Sequence, residues 1–135
     1  MNYLLDTHYM LWAVADTRKI SRKVKDVITN PEHRLVVSAV SFWEVSLKTS
    51  LGKLQITGFA PEDLPDACMQ MGFEIEHLMA NECSAYHRLK ATYHKDPFDR
   101  MLIWQAIMHD YTLISVDENI NKYVTEGLKI FRGKP

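Results

Sequence analysis

Asn2-Tyr3-Leu4-Leu5-Asp6, at the start of the chain, is the stretch that points most directly to the fold. Its apolar run is too short for a helix and has the length of a buried strand in a parallel sheet. The carboxylate of Asp6 would then stand at the carboxyl end of that strand. The segment therefore predicts a strand that brings an acidic side chain to one edge of a sheet.

Similar short apolar runs alternate with helical segments along the rest of the chain. The further predicted strands are 34–37, 73–76, 112–116 and 128–131, and the predicted helices are 8–15, 21–30, 41–51, 61–71, 81–89 and 96–110. Ser21, Ser41 and Asn81 are the predicted caps of three of these helices. Strands that alternate with helices predict an α/β fold: a mainly parallel sheet of about five strands with helices on both faces.

Length and composition predict one domain, residues 1–135, because no linker or repeat divides its 135 residues. The two cysteines, Cys68 and Cys83, stand in no metal-binding spacing, which argues against a disulfide framework and a zinc-thiolate site. No apolar run reaches the roughly 18 residues of a membrane span, and no signal peptide is evident. We therefore expect a cytoplasmic protein with no membrane association.

The formal net charge of −1 gives no overall positive potential and so argues against a protein that coats DNA. The charge is nevertheless divided, because eight basic and five acidic residues precede position 61 while eight basic and twelve acidic residues follow it. Five basic residues fall between Arg18 and Lys25. This run is either a solvated helix face or a surface for an anionic partner.

Four acidic residues are predicted to meet at one edge of the sheet. Asp6 and Asp117 end predicted strands, whereas Glu44 and Asp99 lie in the first turns of predicted helices. Helices that follow strands begin at the carboxyl edge of a parallel sheet, where ligands bind in this architecture. The four carboxylates are therefore expected to share one cleft.

Helical spacing predicts that two of these acids point inward. Glu44 shares a helix face with Val40, Leu47 and Leu51, and Asp99 lies on the apolar stripe of the helix that follows Pro97. A carboxylate on an apolar face requires a specific reason, whereas one on a polar face does not.

Carboxylates placed together need a cation or raised pKa values, because two of them about 5 Å apart repel by roughly 3 kcal/mol at an effective dielectric of about 20. Oxygen ligands without histidine or cysteine suit Mg²⁺ or Mn²⁺, and such a site suits hydrolysis of phosphodiesters. Three of the four acids also have an ordinary interpretation: Asp99 in favourable contact with a helix dipole, Glu44 in a helix pair with Lys48, and Asp117 in a turn.

Four motifs of the chain resemble the PIN-domain ribonucleases, specifically the VapC-like toxins of bacterial toxin–antitoxin pairs. The motifs are Leu4-Leu5-Asp6-Thr7-His8, Val37-Ser38-Ala39-Val40-Ser41-Phe42-Trp43-Glu44-Val45-Ser46-Leu47-Lys48 ahead of Gly52-Lys53-Leu54, His94-Lys95-Asp96-Pro97-Phe98-Asp99-Arg100-Met101-Leu102, and Ile114-Ser115-Val116-Asp117. The second and third motifs are specific, and the resemblance extends over essentially the whole chain.

The resemblance implies that Asp6, Glu44, Asp99 and Asp117 are the catalytic acids that bind Mg²⁺ or Mn²⁺ and position the attacking water. It implies supporting roles for Thr7, Ser38 and Ser115, and for Asp96, which is also a predicted helix cap. The implied activity is a metal-dependent endoribonuclease acting as a toxin. The implied partners are RNA, a cognate antitoxin and a second copy of the chain.

Four basic residues are candidates for contact with RNA phosphates: Arg100, Lys48, Lys23 and Lys25. Ion pairing and solvation are the ordinary alternatives for each. The tryptophans Trp12, Trp43 and Trp104 lie in apolar helices and are predicted to be core residues. No ligand role is assigned to any of the six histidines.

Two other functions remain open from the sequence. A phosphatase of the haloacid-dehalogenase type also places an aspartate after its first strand, but it needs a second aspartate where this chain has His8. A catalytically silent binding module that acts through a protein partner would keep the fold and use the acids structurally. Hydrolysis of a generic phosphate monoester would distinguish the phosphatase from the endoribonuclease. The binding module would show neither divalent-metal binding nor nuclease activity.

Overall fold

The computed structural model describes residues 1–93 and 96–132, and in these residues five strands form one parallel sheet. The strands are β1 (Asn2–Leu5), β2 (Arg34–Ser38), β3 (Glu74–Glu76), β4 (Thr112–Ser115) and β5 (Lys129–Arg132). The α-helices are α1 (Thr7–Ala15), α2 (Arg22–Thr29), α3 (Ala39–Ser50), α4 (Leu64–Gln70), α5 (Ala80–Ala85) and α6 (Pro97–His109). The predicted α/β fold is confirmed.

The strand order is β3-β2-β1-β4-β5, with Leu4 aligned to Val36 of β2 and Leu5 to Ile114 of β4. The chain winds from β1 through β2 to β3 and then returns to β4 on the other side of β1. Strand order therefore reverses between β1 and β4. In open parallel sheets this reversal opens a crevice beyond the carboxyl ends of the strands.

Successive residues of β1 enter different cores because side chains alternate across a strand. Tyr3 and Leu5 pack with α1, α2 and α4 on one face of the sheet. Leu4 packs on the other face with α6 and with the 3₁₀ segment Glu118–Glu126. Right-handed crossovers that run in opposite directions from β1 place their helices on opposite faces, which explains this division.

Two predicted helix caps are wrong. Helix α3 begins at Ala39 and is capped by Ser38, whose Oγ accepts a hydrogen bond from the Val40 amide at 3.1 Å. Ser41 lies buried inside the helix. Helix α5 begins at Ala80, because Glu82 Oε2 accepts from the Met79 amide at 3.2 Å and so replaces Asn81 as the capping group.

Two other predicted helices are each divided into an α-helix and a 3₁₀ turn. Predicted helix 61–71 consists of a 3₁₀ turn, Pro61–Asp63, followed by α4, and predicted helix 81–89 consists of α5 followed by a 3₁₀ turn, Tyr86–Arg88. Strand β5 is also displaced by one residue from its prediction. Among the helices that the structure describes, none is long and apolar enough to cross a membrane.

The three tryptophans differ in burial although all were predicted to be in the core. Trp104 is 8% exposed and donates from its indole nitrogen to the Glu82 carbonyl at 3.0 Å. Trp12 is half-buried. Trp43 is 60% exposed and contacts Phe98 edge to face, so its prediction is wrong. The outer side of α3 at Trp43 is not covered by the part of the chain that the structure describes.

Candidate active site

The crevice between β1 and β4 holds three of the four predicted acids. A cleft of about 70 Å³ lies at this position, and apolar side chains of α6 and β4 form its floor. Its polar lining consists of Asp6, His8, Asp99, Ser115 and Asp117. The fold therefore brings together carboxylates from the end of β1, the first turn of α6 and the end of β4.

Asp6 is buried and is held by backbone amides on both carboxylate oxygens. Oδ1 accepts from the Tyr9 amide at 2.9 Å, which caps α1, and Oδ2 accepts from the Val116 amide at 3.3 Å. Burial raises the pKa of Asp6, and the Tyr9 amide, the Ser115 hydroxyl, His8 and the Val116 amide offset this only in part. Because desolvation disfavours the ionised carboxylate of Asp6, a cation bound beside it would favour that ionised form.

Helix starts orient the other two acids of the cleft. Asp96 caps α6 by accepting from two amides of the first turn at 2.8 and 3.4 Å, the second of them that of Asp99. Asp117 caps the 3₁₀ segment through the Asn119 amide at 2.8 Å, and its own amide donates to Ser115 Oγ at 3.1 Å. Asp99 and Asp117 are half-buried. These caps fix the backbone that presents both carboxylates.

Glu44 lies beside the cleft and does not line it. Its Oε1 accepts from the Thr7 hydroxyl at 2.7 Å, and its Oε2 forms an ion pair with Lys48. Because the Thr7 proton goes to the carboxylate, the Ser41 hydroxyl at 2.9 Å must donate to Thr7. Thr7 directly follows Asp6, so this hydroxyl connects the fourth acid to the cleft. The sequence predicted Ser41 only as a helix cap and not as a partner of Thr7.

Ser38 connects α3 to α6 through hydrogen bonds of its hydroxyl to the Val40 amide and to Gln105. Its hydroxyl is 2.5 Å from Gln105 Oε1, and Gln105 Nε2 donates to Glu82 Oε2 at 3.0 Å. All three side chains are buried. Gln105 and Glu82 were not identified from the sequence, since their partners lie far away along the chain.

Among the described residues, Glu76, Glu82 and His109 are the only three His, Cys, Asp or Glu side chains whose ligand atoms all lie within 4.8 Å of one another. No three of the four predicted acids are that close. The His109–Glu82 contact, the Gln105 amide and the Met79 amide satisfy the Glu82 carboxylate. This cluster is thus an internally bonded network apart from the cleft.

The four basic candidates differ in their surroundings. Lys48 contacts the acids, whereas Lys23 lies over the Phe131 ring at 5.0 Å, on the sheet face opposite the cleft floor, and Lys25 is exposed. The Arg100 guanidinium donates to the Leu89 carbonyl at 2.9 Å, the Ala91 carbonyl at 2.5 Å and the Tyr86 hydroxyl at 2.6 Å. These bonds tie Arg100 to the protein and argue against its role as a phosphate ligand.

The third motif is described from Asp96 onward, and His94 and Lys95 lie outside the described residues. All four predicted supporting residues form hydrogen bonds next to an acid or at the start of an adjoining helix. They are Thr7, Ser38, Ser115 and Asp96. Their part in catalysis stays a prediction.

Comparison of the fold with solved structures finds close matches among toxin–antitoxin complexes. VapBC2 from Rickettsia felis, bound to a DNA fragment from its promoter, gives a TM-score of 0.69 at 16% identity over 99% of this chain and 100% of that chain. VapBC-1 from nontypeable Haemophilus influenzae gives 0.64 at 18% identity over 98% of each chain. FitAB bound to an IR36 DNA fragment gives 0.68 at 15% identity over 97% and 94%. At these identities the likeness shows the fold.

A comparison with curated protein sequences finds no significant match. The family model for the PIN domain, in contrast, matches residues 3–125, which include all four predicted acids. The topology, the position of the crevice and this match agree. The chain therefore belongs to the PIN domain family.

Proposed function

We propose that this PIN-domain protein is a divalent-metal-dependent endoribonuclease that acts as the toxin of a toxin–antitoxin pair. The observation that carries the proposal is the meeting of Asp6, Asp99 and Asp117 in the β1–β4 crevice. The resemblance of the fold to the VapBC and FitAB complexes supports the toxin role. We further propose that the protein is cytoplasmic, that a cognate antitoxin binds it and that it forms a homodimer.

The donor set of the cleft fits a hard divalent cation. Asp6, Asp99 and Asp117 offer carboxylate oxygens, and the described residues that line the cleft include no cysteine or methionine. Burial raises the pKa of Asp6, and a bound cation would offset this effect by favouring the ionised carboxylate. We propose that these three residues hold Mg²⁺ or Mn²⁺, with Glu44 completing the acidic quartet. The bound ion would supply Lewis acidity and a more acidic water.

The protein's own groups orient the acids. The Tyr9 and Val116 amides fix the Asp6 carboxylate, and the Thr7 hydroxyl fixes that of Glu44. The apolar floor of the cleft limits solvent and so strengthens electrostatic interactions with a phosphodiester. Lys23 and Lys25 remain proposed contacts for RNA phosphates outside the cleft.

Cleavage of RNA by the purified protein tests this proposal. We expect cleavage with Mg²⁺ or Mn²⁺, no cleavage in EDTA, and at least a hundredfold loss in Asp6→Asn and Asp99→Asn. Asp66→Asn is the matched control because Asp66 is exposed on α4, and it should retain full activity. Full activity of Asp6→Asn, or activity in EDTA, would refute the proposal.

Two observations favour a catalytically silent binding module as the second candidate. Both oxygens of Glu44 already have protein partners, and no three of the quartet's acids lie within 4.8 Å of one another. A module of this kind would bind a protein partner with neither metal binding nor nuclease activity. Calorimetry with Mn²⁺ separates the two, since only the nuclease is expected to give heats of binding.

A further inference from the structure

Helix α1 carries a pair of aromatic rings from the β1–β4 crevice to a second, larger cavity. His8 is exposed and lines the cleft in that crevice, whereas Trp12, one turn further along the helix, lines a cavity of about 490 Å³. The centroids of the two rings are 5.8 Å apart. The cleft and the cavity therefore lie next to each other along α1, with two flat side chains between them.

The Trp12 ring is fixed by its packing and is still open to the cavity. It contacts the core on the α1 face of the sheet, and the ring of buried Tyr9 meets it at 5.3 Å and nearly at a right angle. Trp12 is nevertheless only half-buried. A nucleobase can stack on such a ring, because every base has a flat face and the ring is already ordered.

The cavity is lined by cations and by hydrogen-bonding groups as well as by Trp12. Arg18 and Lys19 come from the 3₁₀ turn that follows α1, and Gln55 and Thr57 are exposed polar residues of the loop that follows α3. Arg18 pairs with Asp16 but is 89% exposed, and an exposed ion pair of this kind is weak enough for an anion to compete with it. The cavity therefore offers partners both to phosphates and to the edges of bases.

Single-stranded RNA fits these features better than duplex RNA or an apolar peptide. In a duplex the bases are stacked on one another and cannot lie against His8 or Trp12. An apolar peptide would gain nothing from the charges of Arg18 and Lys19. Aromatic rings next to cations are the combination that binds single-stranded nucleic acid without a requirement for sequence.

We propose that His8, Trp12, Arg18 and Lys19 form a track, the α1 track, that binds single-stranded RNA beside the cleft. Bases stack on the two rings, and phosphates pair with the two cations at the start of the basic run. This inference rests on the proposed function, because it concerns the substrate of the same site. Since the acids of the cleft carry out hydrolysis, changes in the track should weaken RNA binding and leave the cleavage of bound RNA unchanged.

Fluorescence anisotropy of a labelled single-stranded oligoribonucleotide with the full chain, in EDTA, measures this binding apart from cleavage. Trp12→Leu keeps an apolar side chain against the core and should weaken binding at least about fivefold, whereas Trp12→Phe should keep most of the affinity. Trp43→Leu is the matched control because it removes another exposed tryptophan, and it should bind like the natural protein. Duplex RNA of the same sequence should bind more weakly than the single strand to the natural protein.

The salt dependence of binding tests the two cations. Arg18→Gln combined with Lys19→Gln should reduce the slope of log affinity against log salt by roughly 1.4, which is about 0.7 for each lost phosphate contact on a single strand. Arg88→Gln combined with Lys90→Gln is the control. It removes the same charges from exposed positions beside Leu89, on the other face of the sheet, and should leave the slope unchanged.

Circular dichroism establishes that each variant is folded. Natural affinity in folded Trp12→Leu, or an unchanged slope in the Arg18 and Lys19 double variant, would overturn the inference and leave the cavity to a protein partner. With Mn²⁺, the Trp12→Leu variant should raise KM for RNA cleavage at least about fivefold and keep kcat. RNA binding that depends on the α1 track, without any cleavage in Mn²⁺, would instead refute the proposed nuclease. The failures of the two proposals are therefore distinguishable.

Discussion

Thr7→Val is the sharpest test of how the fold holds the fourth acid. Thr7 is 7% exposed, and its hydroxyl donates to Glu44 at 2.7 Å and accepts from Ser41 at 2.9 Å. Valine has nearly the same shape, so the change removes the hydrogen bonds and leaves the packing in place. A hydrogen bond to a buried charge contributes about 1.5–3 kcal/mol, and the stranded Ser41 hydroxyl adds about 1 kcal/mol.

The free energy of unfolding should therefore fall by about 2–4 kcal/mol, which corresponds to roughly 10 °C in Tm for a chain of this length. Urea denaturation of the metal-free protein measures the loss. Thr57→Val is the control, since Thr57 is exposed in the loop after α3 and should change stability by less than about 0.5 kcal/mol.

A double-mutant cycle with Glu44→Gln assigns the loss to the predicted contact. The coupling energy between Thr7 and Glu44 should exceed about 1 kcal/mol, because each single change removes the same charged hydrogen bond. A loss below about 0.5 kcal/mol in Thr7→Val, or additive effects in the cycle, would show that Thr7 does not position Glu44.

Three further predictions concern the core, the acid response and metal binding. Trp104→Ala should lower the free energy of unfolding by about 3–5 kcal/mol and Trp43→Ala by less than about 1 kcal/mol, as measured in urea; equal losses would contradict their different burial. Burial raises the pKa of Glu82, but hydrogen bonds, above all from His109, outweigh this effect and lower that pKa. The ionised Glu82 therefore stabilises the fold above pH 4.5, the usual pKa of a glutamate. This stabilisation is lost as the pH falls through the lower pKa of the folded state. Acid titration of Glu82→Gln followed by circular dichroism should show a shallower loss below that value, and an unchanged profile would count against the network. Millimolar Mn²⁺ should raise the Tm of the natural protein and leave that of Asp6→Asn unchanged, and equal shifts would contradict binding at Asp6.

The sheet and its main helices could be predicted because their signals are local. A short apolar run such as Tyr3–Leu5 cannot bury its surface as a helix, and Asp96 before Pro97 supplies the cap and first turn of α6. The order of the strands has no such local signal. It depends on the direction of each crossover, which is decided when the helices pack on the sheet.

The inward position of Glu44 was predicted correctly but from an incorrect cause. The apolar face assigned to it includes Leu47 and Leu51, which are 37% and 58% exposed. Glu44 is buried because Thr7 and Lys48 provide a hydrogen bond and a counter-charge. For Asp99 the predicted cause is correct, because its apolar stripe on α6 packs against the sheet and most apolar residues of this helix are buried.

Contacts between distant parts of the sequence could not be predicted. Ser38 and Gln105 are 67 residues apart, and Glu82 and His109 are 27 apart, so neither pair has a spacing that indicates contact. The choice of Ser38 over Ser41 as the cap of α3 also depends on such a contact, because Ser41 is required beside Thr7. The uncovered Trp43 shows that apolar periodicity alone does not determine which helix face is packed.

Anomalous diffraction from crystals of the protein grown with Mn²⁺ tests most directly whether the β1–β4 crevice is a metal centre. We expect an anomalous peak within coordination distance of Asp6, Asp99 and Asp117, about 2.1–2.2 Å from their oxygens as for small hard divalent ions. An empty crevice at saturating Mn²⁺, with or without a peak at Glu76, Glu82 and His109, would contradict the proposed active site.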